Sequence, residues 1–318
     1  MGKIARGLAL TAGLTAGMTV YNIAQELKAG PLMSEVPGKT GYWHSPYGMI
    51  FYKTSGSGEP VVLVHGFNAA ASSYELRRQV APLSERFKVY AFDWLGYGLS
   101  ERPSLLYTAE LYAGLLDGFL REVVGGPAHI IASSQAAAYV IQNAANTPEL
   151  YRRLLLITPT GIQSLIGEPN ILTTTVRNVI AAPVLGTFLF NLLASKPSLR
   201  GFLQSQAYYD PSYVTDEMVE AYFVTGHQPG ARYAPASFLT NYLTLPIAQA
   251  WTRLKQPTCI AWGEQSKINP ITEATPFLTL KRDTRFEVFH RSRLLPHDEE
   301  ADHFNALALS FLTDSAGR

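Results

Sequence analysis

One serine of the chain lies where a buried strand is predicted to turn directly into a helix. Ser134 belongs to the run IIASSQAA at 130–137, in which an apolar strand pattern is followed by a helical pattern. A serine on such a turn has a strained backbone and an exposed hydroxyl, and only small residues fit two positions away on either side. Ala132 and Ala136 hold these two positions. The run therefore predicts a nucleophilic serine at Ser134, with alanines where glycines are more usual.

Two backbone N–H groups are predicted to face the Ser134 hydroxyl. The run VHGF at 64–67 ends a buried strand in a sharp turn, at which the N–H of Phe67, next to Gly66, can point above the sheet edge. The N–H of Gln135, at the start of the helix after the serine, is the second candidate donor. Gly66, Phe67 and Gln135 are therefore candidate residues of an oxyanion hole, which stabilises the charge formed when a carbonyl is attacked.

The motifs around these residues resemble a known family. HGF at 65–67 and DWLGYGLS at 93–100 are similar to motifs of the α/β-hydrolase superfamily, particularly its capped branch of epoxide hydrolases and haloalkane dehalogenases. The resemblance covers residues 48–313. It implies the α/β-hydrolase fold and a loop-holding role for Asp93, but the fold alone says little about substrate. The serine at the elbow excludes the aspartate attack that dehalogenases use.

The resemblance also marks where the catalytic partners of the serine should lie. In family members a strand ending in Trp-Gly-Glu is followed two residues later by the catalytic acid, and here the run WGEQS at 262–266 places Ser266 there. Family members then carry a histidine in a Gly-His-x-Pro-His motif, which aligns with RLLPH at 293–297, so that Leu294 takes the histidine's place. The resemblance therefore implies a degenerate triad, with Ser266 and Leu294 at the two altered positions.

This substitution predicts impaired serine chemistry. A serine hydroxyl is a poor nucleophile until a neighbouring base takes its proton, and leucine cannot do so. In serine proteases the loss of the base costs roughly 10⁶ in rate, or about 8 kcal/mol. Two histidines remain as alternative bases: His297, one turn beyond Leu294, and His227, in the turn HQPG at 227–230. For His297, the alternative to catalysis is a structural hydrogen bond. For His227, the alternative is a local role as one of the polar residues that flank the Pro-Gly turn.

Strands and helices alternate around these motifs. Apolar runs predict strands at 42–52, 61–64, 87–92, 129–132, 154–157, 257–262 and 285–289. Helical patterns separate them, so the sheet is expected to be mostly parallel, with helices on both faces. Ser72 and Glu75 have the spacing of a capping box that opens the helix after the first buried strand.

The long gap between the strands at 154–157 and 257–262 shows helical patterns only. This segment, 161–248, is predicted to form an all-helical cap inserted after the sixth strand, over the sheet edge at which ligands bind. The predicted domains are thus a hydrolase core of residues 41–160 and 249–318, a cap of residues 161–248 and an N-terminal segment of residues 1–40.

Composition limits the partners. A net charge of +1, with scattered basic residues, argues against nucleic acid. The single cysteine, Cys259, excludes an internal disulfide and a thiolate metal cluster, and we expect neither cofactor nor metal. Residues 7–25 are uncharged and follow Lys3 and Arg6; as a helix they are marginal for crossing a bilayer. A membrane-associated segment and an unattached leader are both left open, and so are a cytoplasmic and a membrane-associated location.

Two functional hypotheses follow. Aromatic residues are frequent in the predicted cap, which suits a pocket for a lipid-like, isoprenoid or pigment-like ligand. The first hypothesis is a hydrolase-like protein that binds a hydrophobic small molecule under the cap, with impaired or atypical hydrolase chemistry. The alternative is an active serine ester hydrolase or acyltransferase on a lipid-like or pigment-like ester, with His297 or His227 as a non-family base. Whether the chain is an enzyme is thus open at this point.

Overall fold

The computed structural model describes residues 3–314 and contains one eight-stranded sheet. The strands lie in the order β1-β2-β4-β3-β5-β6-β7-β8. The pairs β1–β2 and β2–β4 are antiparallel, and all neighbouring pairs from β4 to β8 are parallel. The strands are β1 (Lys39–Ser45), β2 (Gly48–Ser55), β3 (Pro60–Val64), β4 (Lys88–Phe92), β5 (Ala128–Ser133), β6 (Tyr151–Ile157), β7 (Thr258–Gly263) and β8 (Arg285–Phe289). The mostly parallel sheet predicted from the apolar runs is confirmed.

Thirteen α-helices occur within residues 3–314. They are α1 (Lys3–Ala29), α2 (Arg77–Ser84), α3 (Ala109–Phe119), α4 (Gln135–Asn146), α5 (Ile171–Ala181), α6 (Leu185–Leu193), α7 (Lys196–Phe202), α8 (Asp216–Gly226), α9 (Tyr233–Phe238), α10 (Ala248–Arg253), α11 (Ala274–Leu280), α12 (Pro296–Glu299) and α13 (Ala301–Thr313). Helices α5 to α10 lie between β6 and β7, as the helical patterns predicted. We call the helical segment between these two strands the cap.

The core is divided by the sheet into two apolar layers. Successive residues of a strand point to opposite faces, so Val62 packs with Trp94 on one side while Val61 packs with Leu83 on the other. Val61 and Val62 are fully buried, as in a strand covered by helices on both faces. This double burial fixes the central strands, and the loops at their carboxyl ends become the positions available for a site.

Two contacts fix the loops at this edge. The Asp93 carboxylate accepts hydrogen bonds from the backbone N–H of Ser73 at 2.6 Å and of Leu99 at 2.7 Å, so it holds two loops together, as expected. The cap is joined to α4 because the Tyr139 hydroxyl and the Gln135 side-chain amide both donate to the carbonyl of Leu243, the former at 2.6 Å. The cap is therefore anchored directly above the helix that follows Ser134.

The N-terminal segment forms the single long helix α1, and its second half packs against the cap. The Asn22 amide donates to the carbonyl of Val184 at 3.0 Å, and the rings of Tyr21 and Phe188 meet edge to face at 5.2 Å. Residues 10–17 are all exposed. Among the described helices none alone has the length and hydropathy of a membrane-crossing segment, whereas α5 and α6, which meet at 94°, meet that criterion only as a bent pair.

Candidate active site

Ser134 occupies a strained turn between β5 and α4. Its backbone has φ 52° and ψ −126°, a conformation that side-chain-bearing residues rarely adopt, and its N–H donates to the carbonyl of Ile157 at 2.8 Å. The neighbouring Ala132 and Ala136 are fully buried, so small side chains are required there. The predicted elbow thus has the geometry of a nucleophile turn, although alanine replaces glycine at both flanking positions.

The two backbone N–H groups predicted to form an oxyanion hole have no hydrogen-bond partner in the described chain. Within residues 3–314, the backbone N–H groups of Phe67 and Gln135 make no hydrogen bond with the protein. The N–H of Gly66 is not available, because it donates to the Glu75 carboxylate at 3.3 and 3.4 Å. Phe67 and Gln135 therefore remain the two candidate donors of an oxyanion hole, and Gly66 is a structural neighbour.

A cavity of about 400 Å³ opens above Ser134. Its wall is mostly apolar, and its polar side chains are all neutral: Asn68, Ser134, Ser164, Ser198, Tyr222 and Asn269. Within the described part of the chain, no charged side chain lines this cavity. Its size and apolar wall are those of a small-molecule site. We call it the large cavity.

A second, smaller cavity of about 70 Å³ lies beside the same serine. Glu75, Ser134, Thr158, Tyr222 and Leu294 are among its lining residues, and Ser134, Tyr222 and Leu294 also line the large cavity. We call it the small cavity. It is large enough to hold water, and Glu75 is its one charged lining residue in the described chain.

The two altered positions of the predicted triad differ in their surroundings. The Leu294 side chain lines both cavities with Ser134, and its backbone N–H is fixed by the carbonyl of Ala207 at 3.1 Å. The Ser266 side chain lines neither cavity; its hydroxyl accepts a hydrogen bond from the backbone N–H of Asn269 at 3.3 Å. Leu294 is therefore the residue that contacts the space beside the serine.

Comparison with known proteins identifies the family. The Alpha/beta hydrolase family matches residues 61–307, more than three quarters of the chain. The chain is an α/β-hydrolase. It is 26% identical over 281 residues to a 2-hydroxy-6-oxononadienedioate/2-hydroxy-6-oxononatrienedioate hydrolase of Comamonas testosteroni, which covers 83% of this chain and 91% of that protein.

Solved structures agree on the fold. The serine hydrolase CarC, involved in carbazole degradation, superposes with a TM-score of 0.73 at 19% identity and covers 87% of this chain and 99% of its own. A serine-to-alanine mutant of CumD, a meta-cleavage product hydrolase from Pseudomonas fluorescens, has a TM-score of 0.70 at 22% identity, with 86% and 97% coverage. These likenesses establish the α/β-hydrolase fold for this chain.

In this α/β-hydrolase no histidine lines either cavity; all seven lie within the described residues. His227 lies in a different cavity, between α1 and the cap, where its Nδ1 contacts the Phe223 carbonyl at 2.8 Å. Burial lowers the pKa of His227, so the ring is neutral at pH 7. The prediction of His227 as a base is therefore not supported by its position, because the ring does not reach the cavities around Ser134.

His65 lies near the site but has a structural role. Its Nδ1 contacts the Gly66 carbonyl at 2.7 Å and its Nε2 accepts from the Trp94 backbone N–H at 3.1 Å. Burial lowers its pKa, with the nearby Asp93 opposing the shift. Both ring nitrogens are thus occupied, and the ring holds the turn before Phe67 in place.

His297 is fully buried behind the site. Its Nε2 lies 3.8 Å from Glu75 Oε1, and burial lowers its pKa to about 4. Neither ring nitrogen has a hydrogen-bond partner, while the His297 carbonyl accepts from the Gln79 amide at 2.6 Å. Within the described chain, the structural hydrogen bond expected of the ring is thus not formed at normal length; the ring lies beside the backbone and carboxylate of Glu75 and packs edge-on against Phe304.

Glu75 is the site residue that the sequence pattern did not reveal. Its spacing from Ser72 predicted a capping box, and this prediction is wrong: Ser72 accepts from the Tyr74 N–H, but the Glu75 side chain turns inward. There it accepts hydrogen bonds from Gly66 and from the Ser133 hydroxyl. Burial raises its pKa to about 7, against the opposing effect of these hydrogen bonds. A carboxyl group with a pKa of about 7 thus lines the small cavity together with Ser134.

Proposed function

We propose that this α/β-hydrolase binds a neutral, apolar small molecule under its cap and that its serine chemistry is impaired because its triad is degenerate. The observation that carries the proposal is the lining of the large cavity: Ser134 faces it, and in the described chain no charged side chain or imidazole does. Apolar contacts supply the affinity in such a site, while a few polar groups orient the ligand.

The chemistry of the ligand follows from the same lining. The N–H groups of Phe67 and Gln135 can donate to one carbonyl or hydroxyl oxygen at the floor of the cavity. The substrates in the relatives' names, such as 2-hydroxy-6-oxononadienedioate, are carboxylates. A buried carboxylate needs a paired charge, and none is available in the large cavity. We therefore infer a ligand with a neutral oxygen function, such as a ketone or ester on a lipid-like or isoprenoid skeleton.

The proposed loss of chemistry rests on proton transfer. Leu294 occupies the place beside Ser134 where the family resemblance puts the catalytic histidine, and leucine accepts no proton. The oxyanion donors alone support only a small fraction of the usual rate, about 10³ over water. The N-terminal segment is included in the proposal as a membrane contact, because Leu10 and Leu14 of α1 are exposed.

A second candidate function is favoured by one observation, the position of Glu75. Its carboxylate and the Ser134 hydroxyl line the same small cavity, and a pKa of about 7 is close to the optimum for a general base at neutral pH. A water in this cavity would connect the two groups. In this alternative the protein is a serine ester hydrolase or acyltransferase in which Glu75 replaces the family base, and neither His297 nor His227 takes that role.

A fluorophosphonate probe separates the two candidates, since it reacts with activated serines. The expected result is slow labelling of the wild type, no faster than that of Glu75→Gln, with Ser134→Ala as the blank. Labelling that is complete within minutes and is lost in both Ser134→Ala and Glu75→Gln would overturn the binder and establish Glu75 as the base. Circular dichroism of each variant confirms that the chain is folded.

The ligand class is tested by comparing two amphiphiles of equal length. A long-chain methyl ketone should bind more tightly than the fatty acid of the same length, as measured by calorimetry at pH 8. Leu239→Lys places a cation on the rim of the large cavity and should improve binding of the acid, whereas Leu280→Lys, an exposed residue on α11, should not. Tighter binding of the acid to the wild type would contradict the proposed ligand.

A further inference from the structure

The cap carries a broad apolar surface that nothing in the described chain covers. On α6, Leu185, Leu189 and Leu192 are exposed at helical spacing, so they form one stripe along the helix. On α5, no residue is buried, and its exposed apolar side chains include Ile171, which is 89% exposed, and Leu172. We call the exposed apolar side chains of these two helices the α5–α6 face.

The face is a property of the fold and not a scatter of single residues. Isolated apolar side chains are normal on a protein surface, but contiguous patches mark an interaction site. Two adjacent helices here expose apolar side chains over successive turns, and they meet at 94°, so their stripes cannot cover one another along their lengths. A helix of a globular protein usually buries its apolar side, and α5 does not.

The surrounding charges indicate which partner fits this face. The sequence contains no aspartate or glutamate between Glu168 and Asp210, a stretch that includes all of α5 and α6. Two of its three basic residues are paired with acids of α8, Lys196 with Glu220 and Arg200 with Asp216. The third, Arg177, belongs to α5 itself and donates to the Leu105 carbonyl at 3.0 Å, so it is not paired with an acid there.

Helix α1 extends this pattern. It packs on α6 through Asn22, whose side chain also accepts from the Asn191 amide at 3.1 Å. Its first acidic residue is Glu26, whereas Lys3 and Arg6 lie near its start, and Arg6 is exposed. Helices α5 and α6 and residues 3–25 of α1 together carry basic but no acidic side chains, and the nearest acids in the sequence are Glu168, just before α5, and Glu26. Apolar side chains with this excess of basic over acidic charge are complementary to a surface that is both apolar and negatively charged.

The large cavity opens at the same place. Leu193, the last residue of α6, is exposed and lines the cavity, and so do Phe202 and Leu239 on its rim. The rim is therefore apolar and continuous with the α5–α6 face through Leu193. An apolar ligand that leaves a lipid phase would reach the cavity without crossing water.

We propose that the α5–α6 face and the exposed part of α1 dock on an anionic phospholipid bilayer, lying in its interface with the cavity mouth towards the lipid. The docking of the α5–α6 face does not depend on the proposed ligand; the contact through α1 and the entry route of that ligand rest on the proposed function. Amphipathic helices bind bilayers in this way when an apolar side enters the acyl boundary and basic residues contact the headgroups.

Vesicle flotation with the full chain tests the docking. The wild type should float with vesicles of phosphatidylcholine containing 30% phosphatidylglycerol (a lipid mixture chosen as roughly the anionic content of natural membranes) and float less with pure phosphatidylcholine. Leu185→Glu with Leu189→Glu should lower the partition coefficient about tenfold or more, because two charges enter the apolar boundary. Leu280→Glu is the matched control: residue 280 is 44% exposed, as residue 185 is at 45%, but it lies on the core helix α11.

The outcomes are distinct. Flotation that is reduced in the α6 double variant and unchanged within about twofold in Leu280→Glu supports the proposal, given that both partition coefficients are measured on folded protein. No flotation of the wild type with anionic vesicles overturns it, as does an equal reduction in the control variant. If the wild type is a dimer by light scattering and the double variant a non-floating monomer, the face binds a second copy and the proposal is wrong. Failure here would leave the ketone-binding result unchanged, so the two proposals fail separately.

Discussion

Replacement of Leu294 by histidine is the most direct test of the proposal that Ser134 is impaired because Leu294 takes the place of its base. Leu294 lines both cavities together with Ser134, so a histidine of similar size brings its imidazole into the space beside the hydroxyl. The backbone at this position is fixed by the hydrogen bond from its N–H to the Ala207 carbonyl at 3.1 Å, so the new ring should point into the same space. An imidazole there can accept the serine proton.

The expected gain in hydrolysis rate is limited because Leu294→His restores the base but not the acid of the triad. In a serine protease, loss of the histidine costs about 10⁶ in rate, whereas loss of the acid alone costs about 10⁴ to 10⁵. Because a serine, Ser266, stands at the position that the family resemblance assigns to the acid, Leu294→His alone would have a base without an orienting carboxylate. We therefore expect a gain of about 10²-fold, or about 3 kcal/mol, and a further increase when Ser266→Asp is added.

The assay is hydrolysis of p-nitrophenyl butyrate at pH 8, where the introduced imidazole is neutral. The rate should rise with pH through the ordinary imidazole pKa, about 6.5, and disappear in the Ser134→Ala background. Leu239→His is the control, since it adds an imidazole at the rim of the large cavity and not beside the serine. The reasoning is refuted if folded Leu294→His gains nothing, or if Leu239→His gains as much.

Three further predictions concern stability. Burial raises the pKa of Glu75 from 4.5 to about 7, so the folded state binds this proton more tightly than the unfolded state does. The free energy of unfolding should therefore fall as the pH rises from about 4.5 to 7. Relative to wild type, Glu75→Gln should raise it by at most about 3 kcal/mol at pH 8 and leave it unchanged at pH 4, as measured by urea unfolding. A Cβ on Gly263 would lie 1.9 Å from the Arg293 carbonyl oxygen, so Gly263→Ala should cost about 1–3 kcal/mol, and an unchanged thermal midpoint would contradict that contact. Because Ser134 has φ 52°, Ser134→Gly should be more stable than Ser134→Ala by about 1 kcal/mol; equal unfolding midpoints would show that the turn is unstrained.

Much of the fold could be predicted because it depends on local patterns. The run VVLV at 61–64 is buried on both faces in the sheet, and a strand covered by helices on both sides has just such a continuous apolar sequence. The cap was predictable since no strand pattern interrupts 161–248, and the elbow because a serine stands between a strand and a helix. These are short-range signals, and they need no knowledge of which residues meet in space.

The electrostatics of the site could not be predicted in the same way. Glu75 has the spacing of a helix cap, and only the packing of α12 behind it, with His297 3.8 Å away, shows that its carboxyl group is buried. His227 lies just before a Pro-Gly pair, and the neighbouring residues in the sequence do not indicate that its ring packs on Phe223 at the α1 side of the cap. The role of a titratable residue depends on contacts between distant segments, which the sequence does not show.

The attachment of α1 has a consequence for movements of the cap over the large cavity. This helix is bonded to the cap through Asn22, and the Gly30 carbonyl just after it accepts from the Gln228 amide at 2.9 Å. Any opening of the cap must therefore either carry the N-terminal helix with it or break these bonds. A force applied to α1, or a bulky domain fused before it, would therefore act on the cap before it acts on the sheet. Changes at this helix are thus expected to alter access to the large cavity.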